Sequence, residues 1–200
     1  MTDGVFAIAM TLLVLDLPRP EGSAHLAHDL LEQWPSYAAY LVSFVTVGIL
    51  WIEHHGMMSA VQRINRRFLE RTLLFLLCVS VIPWPTAIAA DYATSGSQAV
   101  PAAILYAVVM MSMGLSFCLG WRYLAAHPEM VVEAARPALG PGAVRALSGG
   151  LVYLVAIAVA FLSATASFAI DGVIAVYFAL SKSDVPGRIV GAGQGSGDPA

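Results

Sequence analysis

From Leu147 to Leu180 the sequence is apolar throughout, broken only by Asp171 and scattered small residues. A single helix of that length would reach about 51 Å, well beyond a hydrocarbon core of about 30 Å. The stretch therefore predicts a hairpin of two membrane spans, turning near Ser163 to Ser167. Three further apolar runs of span length precede it, at about Ser36–His54, Leu69–Ala90 and Pro101–Leu124. Pro83-Trp84-Pro85 interrupts the second of these, and two missing backbone donors predict a kink there. Only 12% of the residues are charged, about half the usual share for a soluble domain. The chain is an integral membrane protein by this reading. Its net charge of −3 excludes a basic surface for nucleic acid.

The N-terminal run, Gly4 to Leu15, lies between Asp3 and Asp16. With no Lys or Arg before it and no small-residue cleavage site after it, it does not fit a secretory signal. About 14 residues span only about 21 Å. Either the helix borrows Met1 to Asp3, or residues once preceded Met1, and the second is the expectation. On a helix, Ile8, Thr11, Leu12 and Leu15 fall on one face, with a single hydroxyl among bulky aliphatics. Such a face fits either ordinary packing or a pore that holds ions back by dewetting.

Between Arg19 and Pro35, Leu26, Leu30, Leu31 and Trp34 predict a short amphipathic helix at the interface. His127 to Arg145 reads as a connection. Counting the N-terminal run, six spans place both termini on one side. That side collects Arg63, Arg66, Arg67, Arg71, Arg122, Arg136, Arg145, Lys182 and Arg188, against Arg19 alone opposite, so both termini are expected in the cytoplasm. The opposite side carries Asp16, Glu21, Asp29, Glu32 and Asp91 and would concentrate cations locally. The organisation expected is a transmembrane unit over residues 1–181 and a Gly-rich, disordered cytoplasmic tail over 182–200.

Several constellations carry residue types suited to chemistry. Glu53, His54 and His55 carry ligand types, but adjacent residues on a helix point apart, and the His-x-x-x-His spacing of a zinc helix is missing. A polar network of Asp3 with Glu53, His54 and His55 is the stronger reading, against Asp3 as a simple helix-start carboxylate. Asp171 reads as a carboxylate just past the hairpin turn. Cys78 and Cys118 sit in apolar runs and read as buried thiols. No phosphate loop, nucleophile elbow, paired catalytic carboxylates or Thr-Val-Gly-Tyr-Gly filter is present. An enzyme is not expected, nor a cofactor or a bound metal beyond permeant ions.

Asp3-Gly-Val-Phe-Ala-Ile-Ala-Met-Thr-Leu-Leu-Val-Leu-Asp16 resembles the first helix of bacterial homologues of the lysosomal potassium channel, the transmembrane-protein-175 family. Trp51-Ile-Glu-His-His55, Arg66 and Arg67, Ile82-Pro-Trp-Pro-Thr86 and Gly120-Trp-Arg-Tyr123 are similar to its later segments, so the resemblance spans about residues 3 to 180. It implies an all-α, six-span subunit in the cell membrane and a homotetramer with four first helices around one pore. The family selects potassium by side chains of that helix, without a re-entrant filter. By position, Ile8 matches the hydrophobic constriction, Thr11 a hydroxyl layer tied to selectivity, and Leu12 and Leu15 wider aliphatic layers. The family's opening, Arg-x-x-x-Phe-Ser-Asp, is represented here by Thr2 and Asp3 alone, and Glu53 stands where many relatives have asparagine. The function this implies is a cation channel preferring potassium weakly to moderately over sodium. The alternative is a proton-coupled transporter using Glu53, His54 and Asp171, or a non-conducting scaffold.

Overall fold

The computed structural model describes residues 1–20 and 25–180. Among the described residues there are eight α-helices, in chain order α1 (Thr2–Leu12), α2 (Leu26–Glu32), α3 (Trp34–Ser59), α4 (Arg66–Val81), α5 (Pro83–Tyr92), α6 (Ala99–Ala126), α7 (Leu139–Ala160) and α8 (Ala164–Leu180). Among the described residues there is no strand beyond one isolated bridge, Val61 to Val131. Four helical segments are long and apolar enough to cross a membrane: Trp34–Ser59, Arg66–Tyr92, Gly96–Ala126 and Glu133–Ala160. α8 is apolar but shorter, and α1 is extended by a tighter helical turn, Leu13–Asp16. The predicted tail, 182–200, lies outside the described residues, as does Glu21.

The break between α4 and α5 falls where the prolines predict it. Pro83 has no N–H for the carbonyl of Val79, and the amide of Ile82 takes that carbonyl instead in a shorter turn of 3.2 Å. Thr86 also donates its hydroxyl to the Ile82 carbonyl at 2.8 Å. Ser43 on α3 then bonds both Thr86 (2.8 Å) and Tyr106 (3.0 Å). This buried hydroxyl cluster ties α3, α5 and α6 together where water cannot compete.

Packing of α6 on α7 is the most extensive helix contact, and glycine makes it possible. A Cβ built on Gly114 would sit 2.7 Å from the Cα of Gly150. The two backbones therefore approach more closely than any side chain permits, as small residues allow at membrane helix interfaces. Gly142 plays a similar part on α7, where a Cβ would fall 2.7 Å from the buried ring of Trp121.

The basic end of the bundle is clamped by its loops. Gln62 donates its amide to the Met130 carbonyl at 2.8 Å, and Val132 to that of Ala60 at 2.9 Å. Asn65 caps α4 by accepting from the amide of Phe68 (2.9 Å) and donates to the Tyr123 hydroxyl (2.8 Å). Arg71 covers the ring of that tyrosine at 4.2 Å.

Several boundaries differ from the sequence expectation. The hairpin turn lies between Ala160 and Ala164, earlier than Ser163 to Ser167. Ser163 starts α8 by accepting from the Ala166 amide at 3.2 Å, so it opens the helix rather than the turn. The connection expected over 127–145 ends at Ala138, because Pro141 sits within the first turn of α7, where its missing donor is harmless. Arg145 consequently belongs to α7 and not to a loop. α3 runs on to Ser59, which puts Glu53, His54 and His55 inside a helix rather than at its close. The interfacial helix expected between Arg19 and Pro35 is the shorter α2.

Candidate functional site

α1 is apolar nearly all round, so periodicity alone does not say which side faces the protein. Packing decides it. Phe6, Ala9 and Leu13 are each at most 2% exposed, and Phe6 packs on Phe75 of α4 (5.9 Å between centroids) and His54 of α3 (5.8 Å). The opposite side is bare: Ile8 is 60% exposed, Leu12 41% and Leu15 62%. Thr11 lies on the same exposed side. No other described element covers this face, so the four residues singled out in the sequence are brought together in one uncovered stripe. A contiguous apolar stripe of this kind marks an interaction surface.

The stripe is broader than the four-residue pattern. Gly4, Ala7 and Val14 share it, and a Cβ on Gly4 would touch nothing within 4 Å. Small residues near the start of α1 thus leave this end of the face low in profile, with Ile8 the first bulky side chain along it. A helical wheel extended from Ile8 finds Gly4 four residues back, whereas Ala7 and Val14 lie about 100° or more round the helix, at the edge of the stripe.

Thr11 carries the only side-chain hydroxyl of the stripe, and its orientation is set locally. It donates to the Ile8 carbonyl one turn back at 3.0 Å, as threonines in apolar helices commonly do. Its proton is therefore used within the helix. The oxygen lone pairs are what the hydroxyl presents to its surroundings.

Asp3, Glu53, His54 and His55 take separate partners. Asp3 accepts from the indole N–H of Trp51 at 2.9 Å, which fixes the start of α1 against the last turns of α3. Glu53 pairs with Arg145 of α7 at 3.1 Å, both side chains largely buried. His54 is 2% exposed and stacks on Phe75 with centroids 5.5 Å apart, in a cluster with Phe6 and Phe117. Its Nε2 meets no hydrogen-bond partner among the described residues. His55 is exposed and lies against Trp51. Three consecutive helical residues point in three directions, as helix geometry requires. Sequence reasoning missed Trp51 and Arg145 as partners. The signal available was charge: a glutamate near a membrane helix end calls for a cation, and Arg145 was hidden by its assignment to a loop.

Asp171 departs from its expected role. It lies seven residues into α8 and is 2% exposed, so it is buried within the bundle rather than placed at a helix start. Cys118 is buried and donates to the Ala143 carbonyl at 3.6 Å, while Cys78 is half-buried.

A family model described as the endosomal/lysosomal potassium channel TMEM175 matches residues 1–83. A potassium channel of Streptomyces collinus is 40% identical over 192 residues, covering 94% of this chain and 92% of its own length. A potassium channel of Chamaesiphon minutus is 36% identical, covering 91% of this chain and 92% of its own. The crystal structure of a lysosomal potassium-selective channel homologue from Chamaesiphon minutus superposes with a TM-score of 0.81 at 36% identity, over 90% of this chain and 93% of that one.

Proposed function

The chain belongs to the TMEM175 family of endosomal/lysosomal potassium channels, a family of ion channels and not of enzymes, and from that premise we propose that it is a passive cation channel with a weak to moderate preference for potassium over sodium. In this reading α1 and α8 also cross the membrane, giving six spans. Four subunits assemble around an axis lined by α1 in a cell membrane, with both termini cytoplasmic. The observation that carries the reading is the uncovered stripe of Ile8, Thr11, Leu12 and Leu15 on a helix whose other side is fully packed.

Four Ile8 side chains meeting at the axis form a narrow, dry segment that resists any ion. One turn further, four Thr11 hydroxyls present lone pairs because their protons are held by the Ile8 carbonyls. A ring of oxygen acceptors stands in for part of a cation's water shell and offers nothing to an anion. Leu12 and Leu15 continue the path with apolar walls, so the only polar help along it comes at Thr11. The orientation is supported by Arg63, Arg136 and the first turn of α4, Arg66 and Arg67, which share the end of the bundle near Asp3 and Trp51.

Reconstituted in liposomes, the protein should carry potassium down its gradient without a coupled ion, and sodium more slowly. Strict dependence on a proton gradient would instead favour the transporter. Thr11→Val keeps side-chain volume and removes the hydroxyl. It should shift the bi-ionic potassium/sodium reversal potential toward zero while leaving potassium conductance within about twofold, since pore width is unchanged.

A further inference from the structure

At the end of the bundle where α3 and α8 begin and α5 ends, a cavity of about 360 Å³ opens between these helices and α6. No residue of α1 lines it. Its wall is almost wholly apolar, with Trp34 and Ala38 near the mouth and Val42, Ala89 and Phe168 further in. Asp171 also lines it. That carboxylate is 2% exposed, and neither oxygen meets a hydrogen-bond partner among the described residues. Tyr106 lines it as well, and its hydroxyl is engaged by Ser43 at 3.0 Å.

A buried carboxylate with two unused oxygens is costly unless something completes it. Mostly apolar walls with a small number of polar groups are the ordinary makeup of a small-molecule site. The chemistry of the wall also selects the occupant. A bare inorganic cation needs a full shell of oxygens, and here one carboxylate and the residues Thr94, Thr165 and Tyr106 stand in a wall that is otherwise hydrocarbon. An alkylammonium brings three N–H donors for the two oxygens, and its methylenes take the dry wall. Phe168, one turn before Asp171 on α8, lines the same cavity.

We propose that this cavity is a binding site for a lipophilic organic monocation, with its ammonium on Asp171 and its hydrocarbon body along Val42 and Phe168. The site is independent of the conduction path, so its test reads binding rather than flux. The probe is hexylammonium chloride added to the full-length protein in detergent, with hexan-1-ol as the neutral match. Hexylammonium should raise the melting temperature saturably, by about 5–11 °C at a hundredfold excess over its Kd, and hexan-1-ol should not. Asp171→Asn keeps the shape, removes the charge and should abolish the shift. Ala38→Phe narrows the cavity from its exposed side, leaves Asp171 in place and should weaken binding at least tenfold. It also decides the matter if Asp171→Asn does not fold. Equal shifts from amine and alcohol, no saturable shift in the wild type, or an undiminished shift in either folded variant would overturn the proposal.

Discussion

Ile8→Ala is expected to raise potassium conductance and lower discrimination among cations in planar bilayers. Four isoleucines around the axis of the proposed tetramer exclude water, so an ion must shed part of its shell to pass, which costs sodium more than potassium. Alanine withdraws three carbons from each side chain and lets water in. Taking about 1.4 kcal/mol off the barrier raises flux about tenfold, and that is the increase expected here. The folded subunit should tolerate the change, because Ile8 is 60% exposed and supports no packing within the chain. A rise in conductance with an unchanged melting temperature would separate a pore effect from a structural one.

Gly114→Ala should give the largest loss of stability of any single methyl added to the bundle. On an ordinary exposed helix the exchange would gain about 1 kcal/mol. Here the new Cβ would lie 2.7 Å from the Cα and 2.9 Å from the N of Gly150, so backbone and not a side-chain tip must move. Separating α6 from α7 weakens their whole contact. Overpacking of this kind typically costs about 1–3 kcal/mol, and with no flexible neighbour to yield, the upper end applies. That corresponds to a fall in melting temperature of about 6–12 °C for a chain of this size. Gly4→Ala, facing open space, should leave the melting temperature unchanged or slightly higher.

The all-helical fold was legible in the sequence because membrane spans announce themselves by length and apolarity. The α4–α5 break was legible because proline acts through its own backbone. The exposed stripe of α1 was legible only in part. Period placed Ile8, Thr11, Leu12 and Leu15 together, but on a helix apolar all round it could not say which side packs, and Phe6 against His54 and Phe75 settled that. Polar partnerships were the least legible. Asp3 with Trp51 and Glu53 with Arg145 join residues far apart in sequence, and spacing along one helix carries no information about them. The start of α7 was hidden for a related reason. Gly140, Pro141 and Gly142 look like a loop, yet the proline suits a first turn and Gly142 makes room for Trp121. In the sequence Asp171 reads as a helix-start carboxylate because one facing lipid would be costly, and burial inside the bundle leaves no mark in the local pattern.

In the proposed assembly, several copies of α1 turn the Leu15 side of the helix toward a shared aqueous axis. Cadmium block of Leu15→Cys tests it directly, with Ala9→Cys as the control on the packed side. Thiolates converging on an axis bind this soft cation cooperatively, while a thiol in place of Ala9, 2% exposed, is sealed against the subunit. Leu15→Cys currents should be blocked by micromolar cadmium and restored by chelation, with Ala9→Cys and wild-type currents unaffected. Conducting Leu15→Cys channels as insensitive to cadmium as the wild type would contradict the account.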